Sequence, residues 1–242
     1  MKVRWFVFGV VAAVAFALPA QAQTFFDNFD SYAAGSGIIG QGGWQGWAGG
    51  TSSNAFVSNA QSYSSPNSLG VSGAADVVQT WGGITSGLWY AKAWTYVPST
   101  QTGEMWFILM NTYDGACAVA ADCDWSIQVV LCNTGCTTTG GNPPSPGFVT
   151  NYGAQTLPGA GAAALLTDQW VEVIAEINLD ANSYTVYYNG APFDTQQYYD
   201  PATGQQAIQA MDLYSNGSSE SYMDNVWLDT NIPVELQTID IE

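Results

Sequence analysis

The chain of 242 residues carries 20 Asp and Glu, three Lys and Arg, and no His. Lack of imidazole removes the commonest general base and the commonest zinc ligand, and with them any Ser–His–Asp or Cys–His catalytic site. Proton-transfer chemistry would fall to carboxylates. Glu172 and Glu176 share one face of a strand, although two glutamates on the wet side of a sheet more often serve only as solubilising charge. Asp224 has the alternation parity of Val226 and Leu228, so it is expected to point inward, where an unpaired carboxylate is costly. In a chain so poor in cations, a bound calcium ion is its natural partner, because calcium takes clustered hard oxygen ligands. Acceptance of backbone N–H bonds in a turn, or exposure to water opposite Trp227, are the plainer alternatives. Lys92 alternates with Tyr90 and Trp94, so a cation–π contact or a local ion pair is expected for it.

Four cysteines, Cys117, Cys123, Cys132 and Cys136, form an even set that reads as two disulfides. Of the three connectivities, Cys117–Cys123 with Cys132–Cys136 is favoured, because each pair is local and both flank the apolar run 125–131.

An oxidising compartment agrees with the N-terminus. Lys2 and Arg4 precede an uncharged apolar run and Pro19, then Ala20-Gln21-Ala22 offers a small-x-small cleavage site. That is the layout of a secretory signal peptide over residues 1–22, and the run is short for a membrane span. Cleavage there leaves Lys92 as the only basic side chain against 20 acidic ones. Nucleic acid and anionic membrane are thereby excluded as direct partners, since phosphate binding depends on Lys and Arg. Charged residues are only 10% and hydrophobic ones 47%, so the acidic chain can still bury a core.

The elements that must position these groups are strands. Apolar residues alternate with polar ones in short runs at 55–58, 68–72, 76–81, 88–97, 105–111, 125–131, 170–179, 184–188, 207–214 and 222–228. In 170–179, Val171, Val173, Ala175, Ile177 and Leu179 occupy one face, and Trp170, Glu172, Ile174, Glu176 and Asn178 the other. Asn189-Gly190 signals a hairpin, and Asn216-Gly217 a turn before the last strand. Residues 133–166 read as a long decorated loop with one strand near 148–152. The pattern specifies an all-β sandwich or barrel over 23–230, followed by a tail or extra strand at 231–242.

Ordered segments along this domain resemble the concanavalin A-like lectin and glucanase superfamily in its laminin-G-like bacterial form. They are Phe26-Asp27-Asn28-Phe29-Asp30-Ser31-Tyr32, Gln41-Gly42-Gly43-Trp44, Ser65-Pro66-Asn67-Ser68-Leu69, Ala93-Trp94-Thr95-Tyr96-Val97-Pro98, Asp168-Gln169-Trp170-Val171-Glu172-Val173 and Ser221-Tyr222-Met223-Asp224-Asn225-Val226. The resemblance implies a two-sheet antiparallel jelly-roll sandwich with N- and C-terminal strands side by side. It implies a structural calcium between Asp224 and an acid of the first strand, Asp30 with Asp27. Glucanases of this kind resemble one another in a Glu-x-Asp-x-x-Glu strand; here Ile174 stands where the Asp should be and the second Glu is out of step, so catalysis is not expected. Lectin-like sheets stack exposed rings on sugars, which nominates Trp106 and Trp125 with Asn111, Tyr113 and Gln128, although most strand aromatics are core. The expectation is a secreted, non-catalytic module for extracellular carbohydrate or a cell-surface component. A self-associating surface subunit, using the tail as an added strand, is the alternative, and a glycoside hydrolase the third.

Overall fold

The computed structural model describes residues 25–117, 122–137, 144–154 and 161–231. The signal segment and nearly all of the tail, expected at 1–22 and 231–242, lie outside these.

Fifteen strands and one short 3-10 turn at Trp47–Gly49 make up the regular structure. In chain order the strands are β1 (Phe25–Asp27), β2 (Gln45–Gly46), β3 (Phe56–Ser58), β4 (Ser68–Gly70), β5 (Asp76–Thr80), β6 (Leu88–Tyr96), β7 (Glu104–Tyr113) and β8 (Cys123–Cys132). They continue with β9 (Phe148–Asn151), β10 (Gly161–Ala164), β11 (Trp170–Asn178), β12 (Ser183–Tyr188), β13 (Ala191–Gln197), β14 (Ala210–Asn216) and β15 (Tyr222–Asp229). Two antiparallel sheets form the jelly-roll sandwich. Sheet A runs β13-β12-β11-β6-β15-β4-β3, with β1 also beside β15, and sheet B runs β10-β9-β8-β7-β14-β5-β2.

The core lies between the sheets. Phe107, Leu109, Ile127 and Val129 of sheet B belong to the same buried cluster as Ala91, Val173, Ala175, Ile177 and Leu228 of sheet A. β11 keeps the alternation read from its sequence, with Val171, Val173, Ala175 and Ile177 buried. Asn189 and Gly190 both take positive φ and join β12 to β13, as the hairpin signal requires. Asn216-Gly217 instead carries the chain from sheet B to sheet A, since β14 and β15 belong to different sheets. Gly103 makes that crossing possible: at φ +82 its backbone meets Gly217, and a Cβ there would lie 2.3 Å from the Gly217 carbonyl oxygen. The strand expected near 148–152 is present as β9, and the stretch around it also holds a second strand, β10, paired with it.

Candidate functional site

Pairing across sheet B builds one continuous outer face. One row runs Asp76, Tyr214, Trp106, Val130, Thr150, and the next Val78, Asp212, Ile108, Gln128. A third row holds Thr80, Ala210, Met110 and Trp125. Paired residues share a face, so Val77, Leu213, Phe107 and Val129 go to the core while these rows face outward. Val78, Ile108, Met110 and Ala210 form a buried floor. Around it lie two groups of rings, all partly buried except Trp106, which is buried. Trp47 stacks on Trp125 at 5.9 Å and packs on Tyr113 at 5.5 Å, and Trp106 stacks on Tyr152 at 5.8 Å beside Tyr214.

Beside the rings sit Asp76, next to Tyr214 at the β5 end of the first row, and Asp212 in the second row, diagonal neighbours on adjacent strands. Burial pushes Asp76 up to about 6, a rise limited by its hydrogen bond with Asp212. Burial, then the charge of Asp76, raises Asp212 well above the ordinary carboxylate range. If both acids were ionised, Asp76 Oδ1 and Asp212 Oδ1 would be buried without a donor. One proton held between the carboxyls supplies that donor, since like charges so close cannot both ionise. Burial first and these acids second also raise Tyr214; Tyr113 is raised by burial, with Asp212 and Asp76 contributing.

A third acid steadies the face. Glu104 is fully buried and accepts hydrogen bonds from Trp106 Nε1 (3.2 Å), Asn216 Nδ2 (3.0 Å) and Thr137 N (2.6 Å). Both disulfides form in the local pairing, Cys117–Cys123 and Cys132–Cys136, and bracket the two ends of β8. The second delivers Thr137 to Glu104. Tyr113 Oη accepts the Ala48 N–H at 3.2 Å and so fastens the turn that carries Trp47.

Of the residues nominated for ligand contact, Trp106, Tyr113, Trp125 and Gln128 share this face; Gln128 donates to the Gly153 carbonyl at 2.8 Å. Asn111 does not. It is the extra residue of a bulge in β7, fully buried, and donates to Asp124 (3.1 Å) and to Ser126 (3.0 Å), itself skipped by a register shift in β8. Asp76, Asp212, Trp47, Tyr152 and Tyr214 were not nominated. Outward parity was available for Asp76 and Asp212, in Asp76-Val77-Val78 and Asp212-Leu213-Tyr214, but the pairing of β5 with β14 was not.

The acids nominated for calcium lie across the molecule, at sheet A. Asp224 is outward, not inward, because the register of β15 shifts between Asp224 and Trp227, where Asn225 takes φ +44. That bulge reverses parity, so Met223, Val226 and Leu228 enter the core. Asp224 is buried nonetheless, beneath the loop before β4. It accepts the N–H groups of Tyr63 (2.8 Å), Ser64 (2.9 Å) and Asn225 (2.7 Å). Burial is the main reason its carboxyl is pushed up to about 6, with the charge of Asp30 contributing. Asp30 grips the same loop through Asn67 N at 2.9 Å. Asp27 is turned elsewhere, accepting from Tyr32 Oη (2.8 Å) and Trp44 Nε1 (2.9 Å). As arranged, the trio does not fit a calcium cage. Its oxygens are divided between two places, and those of Asp224 are taken by backbone donors.

Also on the outer face of sheet A, Lys92 is ion-paired with Glu172 and lies over Trp94 and Trp227, at 5.2 and 5.9 Å from the ring centroids. Glu176 lies four residues further along β11, opposite Tyr90.

No protein-family model matches the chain, and no curated protein does. Solved structures match its fold. A sialidase aligns over 87% of this chain with a TM-score of 0.56 at 10% identity, this chain spanning only 19% of that one. Endo-β-1,4-glucuronan lyase from the fungus Trichoderma reesei aligns over 86% of this chain and 96% of its own, with a TM-score of 0.55 at 9% identity. At such identity the likeness concerns the β-sandwich fold alone.

Proposed function

We propose that this protein is an exported, non-catalytic module of concanavalin A-like type that binds carbohydrate on the outer face of sheet B. The observation that carries this reading is the Asp76–Asp212 pair set beside the partly buried rings of Trp47, Tyr113 and Trp125 and of Tyr152 and Tyr214, the latter two packed on or beside the buried Trp106. A sugar offers an apolar ring face and a rim of hydroxyls; stacked rings take the first, and the carboxyl oxygen of the less buried Asp76 can accept from the second.

A binding role, not hydrolysis, is supported by spacing. Carboxyls that share a proton are closer than the roughly 5 Å of retaining glycosidases or the longer separation of inverting ones. Glu172 is engaged by Lys92 on the opposite sheet. Export is supported by the N-terminal layout and by two disulfides. No helix among the described residues is long and apolar enough to cross a membrane.

One observation favours a second reading, a self-associating surface subunit. Phe26, Phe56, Tyr63 and Leu88, all exposed, lie on the outer face of sheet A or over it. A glycan-array screen of residues 23–242, beside Trp125→Ala and a Trp170→Ala control on sheet A, separates the two. Binding lost only with Trp125→Ala supports the module. A blank array with concentration-dependent assembly by sedimentation supports the subunit.

A further inference from the structure

Resting on that binding face, we infer that its ligand is an uncharged glycan, and that Asp76, Asp212 and Glu104 together reject sugars bearing a carboxylate. Proteins that hold carboxylates usually do so with Arg or Lys, whose donors match the anion and offset its charge. This chain has no such group to offer here. From residue 5 onward Lys92 is its only basic side chain, and it is 2% exposed on the other sheet, held by Glu172 and two indoles.

The face is instead negative. Asp76 and Asp212 are diagonal neighbours whose buried Oδ1 atoms have no other donor, so they share a single proton and carry one negative charge between them. Glu104 contributes another, because all three of its partners are N–H donors, which suit a carboxylate and not an acid. The other titratable groups facing the pair are Tyr113 on β7 and Tyr214 on β14, both raised above 10 and therefore neutral below it. Repulsion between unit charges about 6 Å apart, at an effective dielectric constant of roughly 20 to 80, lowers affinity roughly threefold to a hundredfold. A neutral sugar meets no such penalty, and its hydroxyls find an acceptor at the carboxyl pair. The acids thus act as a filter on ligand charge, while the rings supply affinity.

The test compares neutral oligosaccharides (gluco-, xylo- and manno-oligomers) with uronate oligomers and sialylated glycans on the full chain, at pH 7.5 and low salt. Affinities are read by calorimetry for whichever glycans the array returns. The expected result is a preference for neutral ligands of about tenfold or more. That ratio should shrink in 0.5 M NaCl, and again in Asp76→Asn/Asp212→Asn, whatever the variant's absolute affinity. The salt series uses only the wild-type chain, so the inference stays open to refutation even if the variant fails to fold. Carboxylated glycans that bind as tightly as neutral ones, with binding still lost in Trp125→Ala, would overturn the charge filter and leave the binding face standing. Binding of no glycan, or binding indifferent to Trp125→Ala, would overturn both.

Discussion

Lys92 reaches Glu172 from a position almost sealed from water: the lysine is 2% exposed, its carboxylate partner 21%. The pair is therefore lopsided, and its two halves should not cost the same to remove. Glu172→Gln takes the counter-charge from a buried ammonium and is expected to cost about 3 kcal/mol. Lys92→Met leaves a carboxylate that water can partly reach, so about 1 kcal/mol is expected. Urea unfolding of the two variants checks the asymmetry; equal losses would contradict it.

Asp76, Asp212 and Asp224 all hold their protons more tightly in the folded chain than at the ordinary value of 3.8. A raised folded pKa gives stability that is complete below the unfolded pKa and is lost as pH climbs through the folded one. For Asp76 and Asp224 that loss is centred near pH 6, and Asp212, raised by burial and by the charge of Asp76, adds to it in the same direction. The melting temperature should thus fall between pH 5 and pH 7.5, by about 3 °C or more. Asp76→Asn/Asp212→Asn should flatten the slope, as measured by circular dichroism.

Asp224 with its backbone donors closes a clasp on the loop before β4, leaving no oxygen uncommitted. EGTA is accordingly expected to leave the melting temperature unchanged, whereas Asp224→Asn turns one N–H2 against a donor and should cost about 2 kcal/mol. A melting temperature that rises with calcium would show instead that the clasp opens to admit a cation.

Each disulfide closes a short loop and is expected to contribute about 2 kcal/mol. Their effects on binding should differ. Cys132→Ser/Cys136→Ser also frees Thr137 from Glu104 and with it the Trp106 ring, so glycan affinity should drop by about fivefold to tenfold. Cys117→Ser/Cys123→Ser leaves Glu104 in place and should affect affinity less, a difference that calorimetry resolves.

What could be read from the chain before any coordinates was what is local. The alternation of β11, the Asn189-Gly190 hairpin and both disulfides depend on neighbours a few residues apart, and all are present. Parity failed wherever a bulge intervened. Asp224 lies on the other face from the one its parity implies because one extra residue reverses every side chain beyond it, and no residue type announces a bulge. Asn111 joins Trp106 by nearness in sequence, although alternation alone sets the two on opposite faces. The Asp76–Asp212 pair was out of reach for another reason. It exists only because β5 pairs with β14, a long-range choice that the spacing of acids does not encode.

β1 lies antiparallel beside β15, Phe25 opposite Leu228, so the described domain begins and ends at the same corner of sheet A. Tension applied to both ends would load their hydrogen bonds one after another, like a zip, instead of shearing them all at once. With three residues in β1, few bonds resist at any moment. A domain connected in this way yields readily under pulling. It is better suited to hang from a support than to serve as a link in a load-bearing thread.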